Sequence, residues 1–375
     1  MMSGRLKSLL VAVFSVFALS VSIPSLAQEN GGEEPKTEGV EKHGETKLEP
    51  ADVIMEHIKD GHEFHFFSYG DFHATIPLPV ILYSPQRGFD FFMSSRFHHG
   101  EHAHAGYRNI HENIYPVKED GVTVDESVKV YDFSLTRNAV QMIIALALLV
   151  WIMMTVARRY KLGLGVTTAP KGLQNLIEPV ITFVRDEVAK PNLGHKYMRY
   201  LPYLLTVFFF ILINNLFGLL PGSANVTGNV AFTLVLGVIS FLVILFSSNK
   251  HYWGHILWPP GVPLPIKFIL IPVELMGVFT KPFALIVRLF ANMVAGHIII
   301  LSFIILIFIF GAMSTSLGWG TSPFFILLAV FIYLIEVLVA FIQAFIFANL
   351  TAVFIGQAFE GGHNDVDGHA DEVIL

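Results

Sequence analysis

Two long apolar stretches, residues 268–310 and 323–358, decide what this chain can fold into, because neither suits the core of a water-soluble domain. As a helix rising 1.5 Å per residue, the first would reach roughly 65 Å, about twice the hydrocarbon thickness of a bilayer. It must therefore tilt steeply or break. The connection between the two, 311–322, is short and rich in Gly, Ser and Thr. Further apolar runs at 138–157, 200–220 and 230–248 bring the count to about five crossings. Composition agrees: 53% of residues are hydrophobic and 14% charged, against about a quarter charged in soluble domains. Between the first two runs, Leu173, Ile177, Val180, Ile181 and Val184 recur at helical spacing, predicting an amphipathic helix at the cytoplasmic membrane surface. The predicted fold class is an all-α polytopic membrane protein with a long tilted C-terminal hairpin and a small N-terminal extramembrane domain.

Arg5 and Lys7, the apolar run 9–19 and Ser25-Leu26-Ala27 have the order of a secretory signal peptide over 1–27. The alternative reading, a first membrane helix, is opposed by the shortness of the run and by Pro24. Residues 28–50 are rich in Glu, Gly and Lys and read as a flexible start to an external, periplasmic-side domain that extends to 137. In it, 76–83, Val122, Val124 and 128–130 read as strands. The membrane domain covers 138–358, and 359–375 form an acidic tail. Loop 158–199 carries eight Lys or Arg and loop 249–267 carries Lys250 and Lys267, whereas 221–229 and 311–322 carry none. By the positive-inside rule the first two loops and the tail are cytoplasmic, with the mature N-terminus outside. That topology is the one a signal peptide also requires.

The chain has no cysteine, so disulfides and thiolate sites are excluded. There is no Gly-x-x-x-x-Gly-Lys sequence, so any ATP chemistry belongs to other chains. No basic block suggests nucleic acid. His57, His62, His65 and His73 with His98, His99, His102 and His104 invite a metal reading, but no ligand spacing recurs among them. Neither a metal nor a cofactor is expected, and the chain is not expected to be an enzyme by itself.

Inside the first long stretch Glu274, Lys281 and Arg288 are seven apart, with Asn292 four and His297 nine residues further on, all near one helical face. Ionisable groups in mid-span cost at least ~2.5 to 3.5 kcal/mol each, so such a stripe marks a pathway. The second stretch carries Glu336 and Gln343. An antiparallel hairpin turning near residue 316 sets Arg288 level with Gln343, His297 with Glu336, and Glu274 with Gln357. His297 and Glu336 can exchange protons near neutral pH. Arg288 cannot relay a proton, but its charge can block one. Lys281 beside Pro282 either snorkels to the interface or takes a direct part. Asn214 and Asn215 read as interhelical hydrogen-bonding groups. A self-contained transporter would place its site between internal repeats, and the first half holds no second polar stripe.

The strings Glu274-Leu-Met-Gly-Val-Phe-Thr-Lys281-Pro282, Arg288-Leu-Phe-Ala-Asn292-Met-Val-Ala-Gly296-His297 and Gln343-Ala-Phe-Ile-Phe closely resemble subunit a of F-type ATP synthase. Asn215-Leu-Phe-Gly-Leu-Leu-Pro221 and Asn225-Val-Thr extend the resemblance across about 138–358. The resemblance implies a stationary proton channel whose Arg288 faces a rotating ring of c-subunits, each with an essential carboxylate, between two offset half-channels. It implies that Asn292 and Gln343 support the arginine and that Glu274 lines the cytoplasmic half-channel. It implies His297 and Glu336 as a pair whose residue types many bacterial members carry in the opposite order. The implied partners are the c-ring, peripheral-stalk b subunits, other synthase subunits and the bilayer. The long N-terminal domain departs from the family's short N-terminus, and its role is not carried over.

Overall fold

The computed structural model describes residues 60–360, apart from 70, 71, 101, 111, 119, 164, 166–168, 221 and 260–262. The signal peptide, the Glu-rich start and the tail beyond Glu360 lie outside these residues.

The N-terminal part is built from short antiparallel strands. β1 (Glu63–Tyr69) pairs with β2 (Phe72–Pro77); β3 (Pro79–Ser84) lies between β4 (Gly88–Met93) and β7 (Tyr131–Asp132); β5 (Tyr107–Ile110) pairs with β6 (Asn113–Pro116). Alternation in β3 turns Val80 and Leu82 inward against Phe97 and Tyr107, and this is the small core of the domain. Ile76 and its neighbours to Tyr83 are strand residues, as their β-branched and aromatic character predicts. The predicted strands at 122–124 and 128–130 do not form; Val124 makes only an isolated bridge to Val117. Local turn chemistry explains this. Asp120 accepts hydrogen bonds from the Val122 and Thr123 amides, and Asp125 from the Ser127 amide and hydroxyl, so two side-chain-capped turns interrupt the valines.

Among the described residues, five helical stretches are long and apolar enough to cross a membrane. α1 (Arg137–Lys161) starts where Thr136 Oγ1 accepts from the Ala139 amide, and Asp60 Oδ1 accepts from Asn138 N at 3.1 Å. It ends on Arg158, Arg159 and Lys161, which suit the C-terminal dipole and a headgroup layer.

α2 (Leu173–Phe183) runs through a π-helical turn (Val184–Ala189) and α3 (Lys190–Leu193) into α4 (Tyr197–Gly218). The amphipathic helix expected from the spacing forms over Leu173–Phe183, and the π-helical turn that follows it is covered by the chain itself. Val184, Val188 and Ala189 are fully buried, and the Phe183 ring meets those of Phe341 and Phe345. The reason lies in the last helix, where Ala340, Ala344, Ala348, Ala352 and Gly356 recur every four residues and let other backbones approach. A Cβ on Gly356 would lie 2.1 Å from the Asn192 carbonyl oxygen. Asn192 Nδ2 donates to Asn349 Oδ1 at 2.9 Å, and Asn215 Nδ2 to the Ala340 carbonyl at 3.2 Å. Asn214 instead donates to Phe210 in its own helix.

After α5 (Val230–Ser247) and the short α6 (Lys250–Leu257) come the two long elements, α7 (Leu264–Met313) and α8 (Thr315–Glu360). α7 is 50 residues long and unbroken through Pro272 and Pro282. At ~75 Å it can enter a ~30 Å hydrocarbon layer only at a steep tilt. The predicted Gly, Ser and Thr-rich turn contracts to Ser314, because Thr321 and Ser322 hydroxyls bond back to Leu317 and Gly318 carbonyls and are absorbed into α8. Gly318 sits so close to Gly311 that a Cβ would lie 2.7 Å from its Cα, which closes the tip of the hairpin.

Candidate functional site in the long hairpin

Arg288 lies at the middle of α7. On the inner face of that helix Leu285, Leu289, Met293 and Gly296 are buried. α5 approaches there so closely that a Cβ on Gly237 would overlap Ile286, and Asn225 Nδ2 donates to the Met293 carbonyl at 3.4 Å. With its apolar face used in this way, α7 leaves the adjoining face exposed: Glu274, Lys281, Arg288, Asn292 and Ala295 all lie on it. The stripe predicted from spacing is therefore one face of one helix. It is exposed along its length, and Asn292 and Lys281 on it reach across to bond α8.

Across the hairpin, α8 presents Gln343, only 1% exposed. Asn292 Nδ2 donates to Gln343 Oε1 at 3.0 Å, so the amide predicted to stand level with Arg288 is bonded to the residue one turn beyond it. Further along, Glu336 is 7% exposed and its carboxyl lies against Gly296, where a Cβ would be 2.2 Å from the carboxyl atoms. Glu336 Oε2 is buried without a hydrogen-bond partner among the described residues. His297, half-buried, follows Gly296 directly, so its backbone adjoins the Glu336 carboxyl as the hairpin arithmetic predicts.

Towards the other end the arithmetic fails. Glu274 does not meet Gln357; Lys281 Nζ donates to Gln357 Oε1 at 3.2 Å and lies 5.2 Å from the centre of the Phe354 ring. Between the Gly311/Gly318 contact and this pair, α8 advances further along its sequence than α7 does, so the helices are not parallel rods of equal pitch. A lysine side chain also spans the remaining gap.

The polar groups thus fall into three zones: Glu336 with Gly296 and His297; Arg288 with the Asn292–Gln343 bond; and Lys281–Gln357 with Glu274 beyond it. Among the described residues Arg288 has no carboxylate within ion-pair distance. A permanently charged guanidinium on the outer face of a mid-span helix, beside the exposed Phe283 and Val287, is costly against lipid.

Sequence reasoning named no role for Gln141, whose side chain receives the Ala224 amide at 2.8 Å and donates back to the Ala224 carbonyl. That bidentate clasp ties α1 to the loop holding Asn225, and only proximity in space reveals it. His62 was visible only as one histidine among many. Its Nε2 lies 2.9 Å from Asp132 Oδ2, 70 positions away. Among the described residues no three His, Asp or Glu side chains converge as a metal site. The His98 ring packs edge-on against His102, and His104 against Phe92.

Residues 139–356 match the family described as ATP synthase A chain, and residues 53–133 match a domain of unknown function, DUF8433. A protein named ATP synthase subunit a from Chloroherpeton thalassium is 47% identical over 64% of this chain and 72% of its own length. One named ATP synthase subunit a 2 from Chlorobium luteolum is 34% identical over 96% of both chains. A third, from Chlorobium phaeobacteroides strain BS1, is 44% identical over 85% of this chain and 79% of its own.

Proposed function

The chain belongs to the family of ATP synthase subunit a, a multi-pass membrane component of the proton channel that works with other synthase subunits, and we propose how its residues perform that task. Protons pass through two offset half-channels to and from carboxylates on a rotating c-ring, and Arg288 prevents a direct leak between them. The observation that carries this reading is the exposure of Arg288 at the middle of α7, with no carboxylate of the described chain beside it. A c-ring carboxylate moving past this face supplies the missing anion. It must give up its proton to stand beside the guanidinium, and it takes one up on leaving.

Glu336 and His297 serve the half-channel on one side of the arginine, and Glu274 serves the other. The Asn292–Gln343 bond holds the hairpin in register next to Arg288, so both amides act as positioning residues. Each proton crossing 100 mV delivers ~2.3 kcal/mol, which is lost if the arginine barrier leaks. The loop charges orient α1 with Arg158 and Arg159 in the cytoplasm, the strand domain outside, and the C-terminal tail inside. Peripheral-stalk b subunits hold the chain against rotor drag, and nucleotide chemistry stays on other subunits.

The test uses the absence of native cysteine. Ala295→Cys, on the exposed face two turns from Arg288, is expected to form a disulfide with a cysteine placed beside the ring carboxylate. Cross-linking only to a subunit other than the ring would overturn the assignment of this face.

A further inference from the structure

The face of the β4–β3–β7 sheet that points away from its core is made of apolar and aromatic residues throughout. Register places Tyr83 between Phe89 and Tyr131, and Ile81 opposite Phe91. The pairing continues past β7, with Phe133 N donating to the Ile81 carbonyl at 2.9 Å and Leu135 N to the Pro79 carbonyl at 3.3 Å. Three rows of three result, the last formed by Leu135, Pro79 and Met93. Phe89 and Phe91 are 77% and 72% exposed, and Met93, Tyr131 and Phe133 are exposed as well. Nothing in the described chain covers this face, and a patch of this kind marks an interaction surface.

Its position identifies the occupant. Leu135 immediately precedes Thr136, the cap of α1. Counting back from Arg158 at the far end of that helix, about 20 residues span the ~30 Å hydrocarbon layer and end near Asn138. The Leu135 row therefore starts in the headgroup layer. Strands rise ~3.4 Å per residue, so the Tyr131 row is at most ~14 Å further along. The chain runs from the Leu135 row directly into α1, on which Ile143, Ile144 and Trp151 are exposed. Aromatic side chains are favoured at that depth, and the exposed Lys129 lies two residues before Tyr131, within reach of lipid phosphates.

We propose that this sheet face docks on phospholipid, lying in the headgroup and upper acyl region of the leaflet that adjoins the start of α1. The strand domain then rests on the membrane as a second anchor for the channel's first helix. This assignment is independent of the roles given to Arg288 and the hairpin.

The experiment is a nitroxide scan of the intact complex, with cysteine-free partner subunits, in phosphatidylethanolamine and phosphatidylglycerol vesicles. Phe91→Cys and Tyr131→Cys each carry one label, and Gln86→Cys in the β3–β4 turn is the aqueous reference. Lipid docking predicts collision with oxygen several-fold above collision with a water-soluble nickel chelate at 91 and 131, and the reverse at 86. Nickel access at both test sites means that the face is open to water. Exclusion of both reagents means that protein covers it. Either result overturns the proposal.

Discussion

A Cβ at position 296 would lie 2.2 Å from the carboxyl atoms of Glu336, so glycine is what lets that carboxylate lie against α7. Gly296→Ala must push Glu336 aside or part the two helices, and such overpacking costs about 1–3 kcal/mol. The expected outcome is a complex that assembles yet pumps roughly tenfold more slowly, since ~1.4 kcal/mol is a tenfold change in rate. Glu336→Asp, shorter by one methylene, should restore part of that loss in the double variant. Rates equal to the parent's in Gly296→Ala would remove Glu336 from the pathway. That Glu274, Arg288, Asn292, His297, Glu336 and Gln343 lie as ionisable or amide groups within apolar helices was legible from the sequence. Which atoms they touch was not. The Asn292–Gln343 bond and the Lys281–Gln357 bond depend on how two curved helices progress past one another.

At the scale of elements, the join between the strand domain and α1 contains a buried ionisable group of its own. Burial disfavours the charged form of His62, but the Asp132 hydrogen bond and the charges of Asp132, Asp60 and Glu112 outweigh it and raise its pKa above 6.5. Burial likewise works against charged Asp132, and the His62 bond and charge with the Ser134 hydrogen bonds overcome it, leaving the pKa below 3.8. A raised histidine stabilises the fold fully below pH 6.5 and loses that contribution as pH rises through the folded value. A lowered aspartate stabilises fully above pH 3.8 and loses it as pH falls through the folded value. The His62–Asp132 pair therefore contributes most between these two pH values, while Asp60 at the same join, whose burial raises its carboxyl pKa, works in the opposite sense as pH rises above 3.8. Hydrogen exchange at Phe133 and Arg137, corrected for intrinsic rates, should speed up as pH is raised beyond that window, and His62→Gln should flatten the profile. Identical profiles in both proteins would show that the pair carries no such linkage. Sequence periodicity gave no warning of this pair, because its partners are brought together by β7 returning beside β3. The same locality limit explains the valines at 122–130. Their β-propensity was read correctly, but Asp120 and Asp125 offered the backbone turns instead.

For the molecule as a whole, hydropathy and length were enough to predict five crossings and a steeply tilted hairpin, since a bilayer leaves few alternatives to a helix. What covers the turn after α2 was not predicted, because an amphipathic pattern says that an apolar face must be covered and not by what. Here the alanine and glycine stripe on α8 receives the π-helical turn and α3 that follow α2. Arg288, on the polar face of α7, has no such cover among the described residues. The role proposed for Arg288 on that face is to block proton leak and meet the ring. The most direct test is ATP-driven proton pumping in inverted vesicles carrying Arg288→Ala, with assembly checked by co-purification. The expected result is an assembled complex in which pumping is abolished. An assembled complex that pumps at the parent's rate would contradict it.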